Sequence, residues 1–191
     1  MKSKKKNLLW KESLGYLRET KKYIYFIFLL FLVSGLIGFI FKENFKVFDS
    51  IIAELAGKTE GLGLFELMGF IFWNNLGSSF LAMISGVFLG ISAVGSALFN
   101  GVLLGYVYSK ASEIAGFGII WRLVPHGVFE LPAIFIALGL GVKLGMFIFT
   151  KERKKEFIRR LRGSVNVFIT IIIPLLLIAA IIEGLLIVFI G

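Results

Sequence analysis

The chain contains no cysteine and no glutamine, a single histidine and three prolines in 191 residues. Without thiols, disulfides, thiolate zinc sites and cysteine nucleophiles are all excluded. Any metal site would depend on carboxylates together with His126. Absence of the thermolabile glutamine is a thermophile tendency. Charge is also scarce, at 17% of residues, whereas 58% are hydrophobic, 15% are aromatic and the mean hydropathy is +0.90. A soluble domain averages about 45–50% apolar and about 25% charged residues, so an ordinary globule is ruled out. Four or five spans of about 20 residues use most of the length, and no large soluble catalytic domain fits beside them. The expected fold is all-α, a polytopic membrane bundle.

The cations that are present fall in two blocks. Of 21 Lys and Arg residues, eight lie in residues 1–22 and seven in residues 151–162. The formal charge of +9 therefore reads as membrane orientation and not as nucleic-acid binding, because short basic segments stay on the cytoplasmic side. Both blocks belong inside, so an even number of crossings separates them. Tyr23 to Phe41 is an unbroken apolar run of 19 residues, enough for a core about 30 Å thick. It exceeds a signal-peptide core and precedes no small-residue cleavage motif. Further spans are predicted near residues 67–90, 92–108, 119–150 and 164–190, with an external loop over 42–66 and a cytoplasmic basic linker over 151–162. The expected location is the cell membrane, with the N-terminus inside and the C-terminus outside. Tyr23 and Tyr25 fall at the inner boundary, and Trp73, Tyr106, Tyr108 and Trp121 near the outer one, as interfacial aromatics should.

Two segments outside the spans have helical apolar stripes. Leu9, Trp10, Leu14 and Leu17 recur among cations, which predicts a surface helix on an anionic leaflet over residues 1–22. Phe45, Phe48, Ile52 and Leu55 form a second stripe, opposite Glu43, Lys46, Asp49 and Glu54, with Gly57 as its stop signal. The basic linker is open to two readings, simple orientation or the binding of anionic head groups or a cytosolic partner.

Glycine is abundant, at 22 residues. Gly86 with Gly90, and Gly101 with Gly105, form notches that permit close helix approach, and self-association as a homodimer is one expectation. Polar groups within spans are costly and are functional candidates by default. His126 and Glu130 share a helix face at i, i+4, and Glu183 falls at a similar depth on the last span. Together with Asn75 they are predicted to meet in one outer-half cluster. Pro125 and Pro132 predict an interruption or sharp bend between Trp121 and Pro132. Lys143 should snorkel to the inner surface, and Asn100 should form an interhelical hydrogen bond.

The run Pro125-His126-Gly127-Val128-Phe129-Glu130-Leu131-Pro132-Ala133 resembles the signature of the stage II sporulation protein M family. Asn75, Asn100-Gly101, and Pro174 followed by Ala179, Ala180 and Glu183 support the likeness, which covers residues 23–190. The resemblance implies a polytopic membrane protein with no established reaction. In spore formers, family members act as the membrane scaffold of an engulfment complex with a peptidoglycan hydrolase and a lytic transglycosylase.

Two function classes follow. The first is a noncatalytic organiser whose partners are the bilayer, other membrane proteins or a second copy, with no nucleic acid. The alternative is a channel-like or transporter-like protein whose His126, Glu130, Glu183 and Asn75 cluster handles a cation or solute, with a divalent metal such as zinc as its cofactor. An intramembrane metalloenzyme is a third reading that lacks an HExxH-type motif.

Overall fold

The computed structural model describes the backbone of residues 2–116, 118 and 120–190, and the side chains of residues 8–114, 116, 118 and 127–187. The described residues form seven α-helices: α1 (Lys2–Ile40), α2 (Phe48–Thr59), α3 (Leu64–Ser85), α4 (Ile91–Ala115), α5 (Ile120–Gly145), α6 (Arg153–Val167) and α7 (Ile173–Ile190). Among the described residues there is no strand. Among the described residues, five helical stretches are long and apolar enough to cross a membrane: Leu8–Ile40, Leu64–Ser85, Ile91–Ile114, Gly127–Phe149 and Arg153–Ile187.

Helix α5 is the centre of the bundle. In its apolar stretch 61% of residues are buried, against 22% for those of α1, α3 and α4, so the latter present most of their surface outward. One core cluster joins Ala133, Ala137 and Leu140 of α5 to Met83 of α3 and Leu176 of α7. Another joins Phe135, Leu138 and Val142 to Ile27 and Phe31 of α1 and to Ala93 and Ala97 of α4. Phe135 meets Phe28 and Phe31 edge-on, with ring centroids 5.4 and 5.0 Å apart, an arrangement the ring quadrupole favours.

Glycine sets the closest approaches. A Cβ at Gly101 would strike Ser34 Oγ and the Phe31 carbonyl, and one at Gly105 would strike the Gly35 carbonyl. The predicted notch therefore exists, but α1 of the same chain fills it. The Gly86 and Gly90 notch is likewise occupied, by Gly141, Val142 and Gly145 of α5. Both glycine pairs are spent within the chain, which removes the feature that suggested a homodimer.

Three helices depart from the sequence reading. The N-terminal amphipathic segment is not a separate surface helix, since α1 runs without interruption from Lys2 to Ile40. No proline occurs in this stretch, and a helix that exposes its polar turns to water is stable beyond the bilayer. The basic linker is not an irregular connection either, because α6 takes in most of it and passes through a π-helical turn, Phe168–Ile172, directly into α7. Pro174 explains the turn, as it cannot donate to the Thr170 carbonyl, and wider i to i+5 pairing accommodates the loss. Finally, α5 is continuous from Ile120 to Gly145, so Pro125 and Pro132 do not interrupt it. Within a packed bundle a helix can tolerate such missing bonds.

Helix α2 forms where the second stripe predicted one. Phe48 is buried and meets Phe99 and Tyr106 of α4 edge-on. The helix passes Gly57 and ends at Thr59, and the chain turns at Gly61, whose φ is +77°.

Candidate functional site

The two ends of the bundle differ in chemistry. At the end where α1 leaves its apolar run, Lys42 pairs with Glu113 of α4, and the Tyr106 hydroxyl donates to Asp49 of α2. At the opposite end the N-terminal arm of α1, the last turns of α5 and the basic helix α6 converge. These pairings place residues 42, 49, 106 and 113 together and residues 16–20, 143 and 156–160 together.

Of the four residues predicted to form an outer-half cluster, Glu130 lies 13 residues before Lys143 on α5, away from the ionic end. Glu130 of α5 and Glu183 of α7 are close enough to interact electrostatically. Glu183 Oε2 is enclosed and has no hydrogen-bond partner among the described residues. Met68 of α3 closes over the next residue, since a Cβ at Gly184 would lie 2.5 Å from its Cγ. His126 lies outside the described side chains. Asn75 is half-buried and accepts a hydrogen bond from its neighbour Asn74 at 3.4 Å, within α3. Among the described residues no group of three His, Asp or Glu side chains has metal-site geometry.

The remaining motif residues have structural surroundings. Gly127 has room, with the Leu131 side chain 3.6 Å from where its Cβ would stand. Gly101 is the contact point for α1, and Pro174 follows the π turn. Asn100 is exposed and donates to the Ser96 carbonyl of its own helix at 2.8 Å, in place of the interhelical bond expected. Short polar side chains often satisfy themselves on the preceding turn in this way.

Sequence reasoning missed the site with the densest chemistry. Lys143 does not snorkel: its side chain is 5% exposed. Its ammonium donates to Glu19 Oε2 and Thr20 Oγ1, both at 3.2 Å, and sits 3.5 Å from the centroid of the Tyr16 ring. A buried cation requires such partners, and the aromatic face supplies further stabilisation. Thr20 Oγ1 in turn donates to the Tyr16 carbonyl at 2.7 Å. Arg159 bridges Glu19 at 3.0 Å and Glu156 at 2.9 Å, and Arg160 joins Glu156 at 3.0 Å. Arg160 Nη1 also donates to the Lys143 carbonyl at 2.7 Å, capping one of the last carbonyls of α5. The Tyr16 hydroxyl donates to the Arg160 carbonyl at 3.2 Å. Three helices are thus tied by charge-assisted hydrogen bonds at one end. The signal was present as two isolated charges, Glu19 among cations and Lys143 in an apolar run, but their separation by 124 residues hid the pairing.

A five-span helical bundle with two half-buried glutamates, Glu130 and Glu183, on its central and last helices and an ionic network at one end defines a polytopic membrane protein. The stage II sporulation protein M family model matches residues 16–186, which reaches into all five apolar stretches. The chain belongs to the stage II sporulation protein M family. It is 29% identical over 183 residues to an uncharacterized protein of Methanocaldococcus jannaschii, an alignment covering 87% of this chain and 81% of that one. No solved structure matches.

Proposed function

We propose that the chain is a noncatalytic membrane organiser, oriented with its basic end in the cytoplasm and its C-terminus outside, that recruits other membrane proteins of the cell membrane. The observation that carries this reading is the fastening of α1 to α5 and α6 through Glu19, Lys143 and Arg159. Two helices that continue out of the apolar core are held there as one rigid basic platform, as suits a surface that partners dock on. The organiser reading expects reconstituted protein to pass neither protons nor potassium above the rate of empty liposomes. It also expects a crosslinker at exposed Arg153 to give defined partner bands in native membranes that weaken in E19A. Flux, or bands indifferent to E19A, would contradict it.

A second reading rests on the enclosed Glu183 Oε2, which has no hydrogen-bond partner among the described residues and lies within electrostatic reach of Glu130. Two carboxyls in apolar surroundings are best satisfied by sharing a proton or a cation. E183Q keeps a hydrogen-bonding side chain, so a structural lock between α5 and α7 should retain its stability. A cation site should instead lose affinity with the charge.

A further inference from the structure

Between the N-terminal arm of α1 and the face of α6 lies a cleft of about 480 Å³. From α6 it is lined by Lys155, Arg159, Arg162 and Asn166, spaced i, i+4, i+7, i+11 and hence on one helix face. From α1 it is lined by Glu12 and Glu19. Glu19 is engaged by Lys143 and Arg159, and the buried ammonium of Lys143 adds a further positive charge behind it. Arg159 is committed to Glu19 and Glu156. Arg162 is exposed and has no ion pair or hydrogen bond within the described residues. Its planar fork is suited to a phosphate. Tyr16 and Gly163 bring the helices together at the base, where a Cβ on Gly163 would lie 2.7 Å from the Tyr16 ring.

We infer that this cleft binds the phosphate of an anionic phospholipid from the leaflet it faces. Its level favours a lipid over a soluble anion. Glu19 lies four residues before the apolar run that starts at Tyr23, and Arg162 three before Val165, so both are about 5–6 Å from the hydrocarbon boundary. The headgroup layer occupies that depth. Arg162 and Lys155 hold the phosphate, which draws Lys155 from its exposed pair with Glu152 at 2.8 Å; the Ile158 side chain lies beside the glycerol, and the acyl chains descend along the exposed apolar surface of the adjoining helices. Glu12 is the opposing charge and limits how much anion the cleft attracts.

The test is lipid retention by the purified full chain in a neutral detergent, read by native mass spectrometry with phosphatidylglycerol and phosphatidylcholine offered in equal amounts. Wild type should retain phosphatidylglycerol preferentially. The double variant K155Q/R162Q should lose that preference by about 30-fold, near fivefold for each cation removed at a membrane surface. E12Q should strengthen it by up to about fivefold on the same reasoning. R153Q/K154Q removes the same charge from α6 outside the cleft and should change the preference far less. Four results would overturn the inference: equal retention of the two lipids, an equal loss in R153Q/K154Q, a weaker preference in E12Q, or displacement of the lipid by millimolar inorganic phosphate.

Discussion

Replacing glycine by alanine at three positions of α4 separates helix propensity from packing. At Gly95 the new methyl would meet nothing within 4 Å, so G95A gains only the propensity difference, about 1 kcal/mol of stabilisation. At Gly101 it would stand 2.6 Å from the Phe31 carbonyl oxygen and 3.2 Å from the Phe31 Cα. At Gly105 it would fall on the Gly35 carbonyl, 3.0 Å from the Gly35 Cα. These are backbone atoms of α1 and cannot rotate aside, so the helices must separate. Overpacking costs roughly 1–3 kcal/mol, and loss of neighbouring contacts along the α1 and α4 seam adds to it. Because the propensity gain is common to both positions, the same substitution should differ by about 1–3 kcal/mol between Gly95 and Gly105. Equilibrium unfolding in mixed micelles, followed by circular dichroism, measures the difference. Equal effects at the three positions, or a stabilised G105A, would refute the notch as an intrachain contact.

Breaking the buried pair from either side should be unequal: E19A leaves the enclosed Lys143 ammonium with only Thr20 and Tyr16 and should cost about 1–3 kcal/mol. K143M replaces that ammonium by an apolar side chain and should cost less, which thermal unfolding in detergent will show. In the segment between the first two spans, hydrogen bonds from Lys46 and Lys58 hold the Glu43 and Glu54 carboxyls below the ordinary glutamate range. A depressed folded value means that the stabilisation is full above that range and fades as pH falls through the folded values, so the helicity of residues 42–59 should decline on acidification and E43Q/E54Q should flatten the decline. Topology reporters fused at Thr59 and Lys155 should lie on opposite sides of the membrane, and a shared side would overturn the charge-parity argument.

The number of spans was legible because a membrane imposes a length on apolar runs and a side on cationic ones, both local properties of the chain. Element limits were less so. Polar residues between Lys2 and Lys22 looked like the end of a helix in the membrane sense, yet nothing there breaks a helix in the backbone sense, and α1 simply continues into water. Pro125 and Pro132 failed as breakers for the converse reason, since a proline removes one bond while the packed helix keeps the rest. Glu130 and Glu183 could be placed at one depth by counting residues, and they are close enough to interact electrostatically. Lys143 could also be placed by depth, but its direction depended on Glu19 and Tyr16, and no periodicity reports a partner on another helix.

The α1 and α4 seam also bears on how the chain is made. The contacts of Gly35 with Gly105, and of Phe31 with Gly101, join residues 70 positions apart. Synthesis proceeds at about 5–20 residues per second, so α1 spends roughly 4–14 s in the bilayer before the matching face of α4 has been made. Throughout that interval its Gly35 and Gly38 groove is uncovered and fits any small-residue helix that passes. Assembly of this bundle is thus a race between α4 and foreign helices, and slower translation between residues 40 and 105 lengthens the odds against the native pairing.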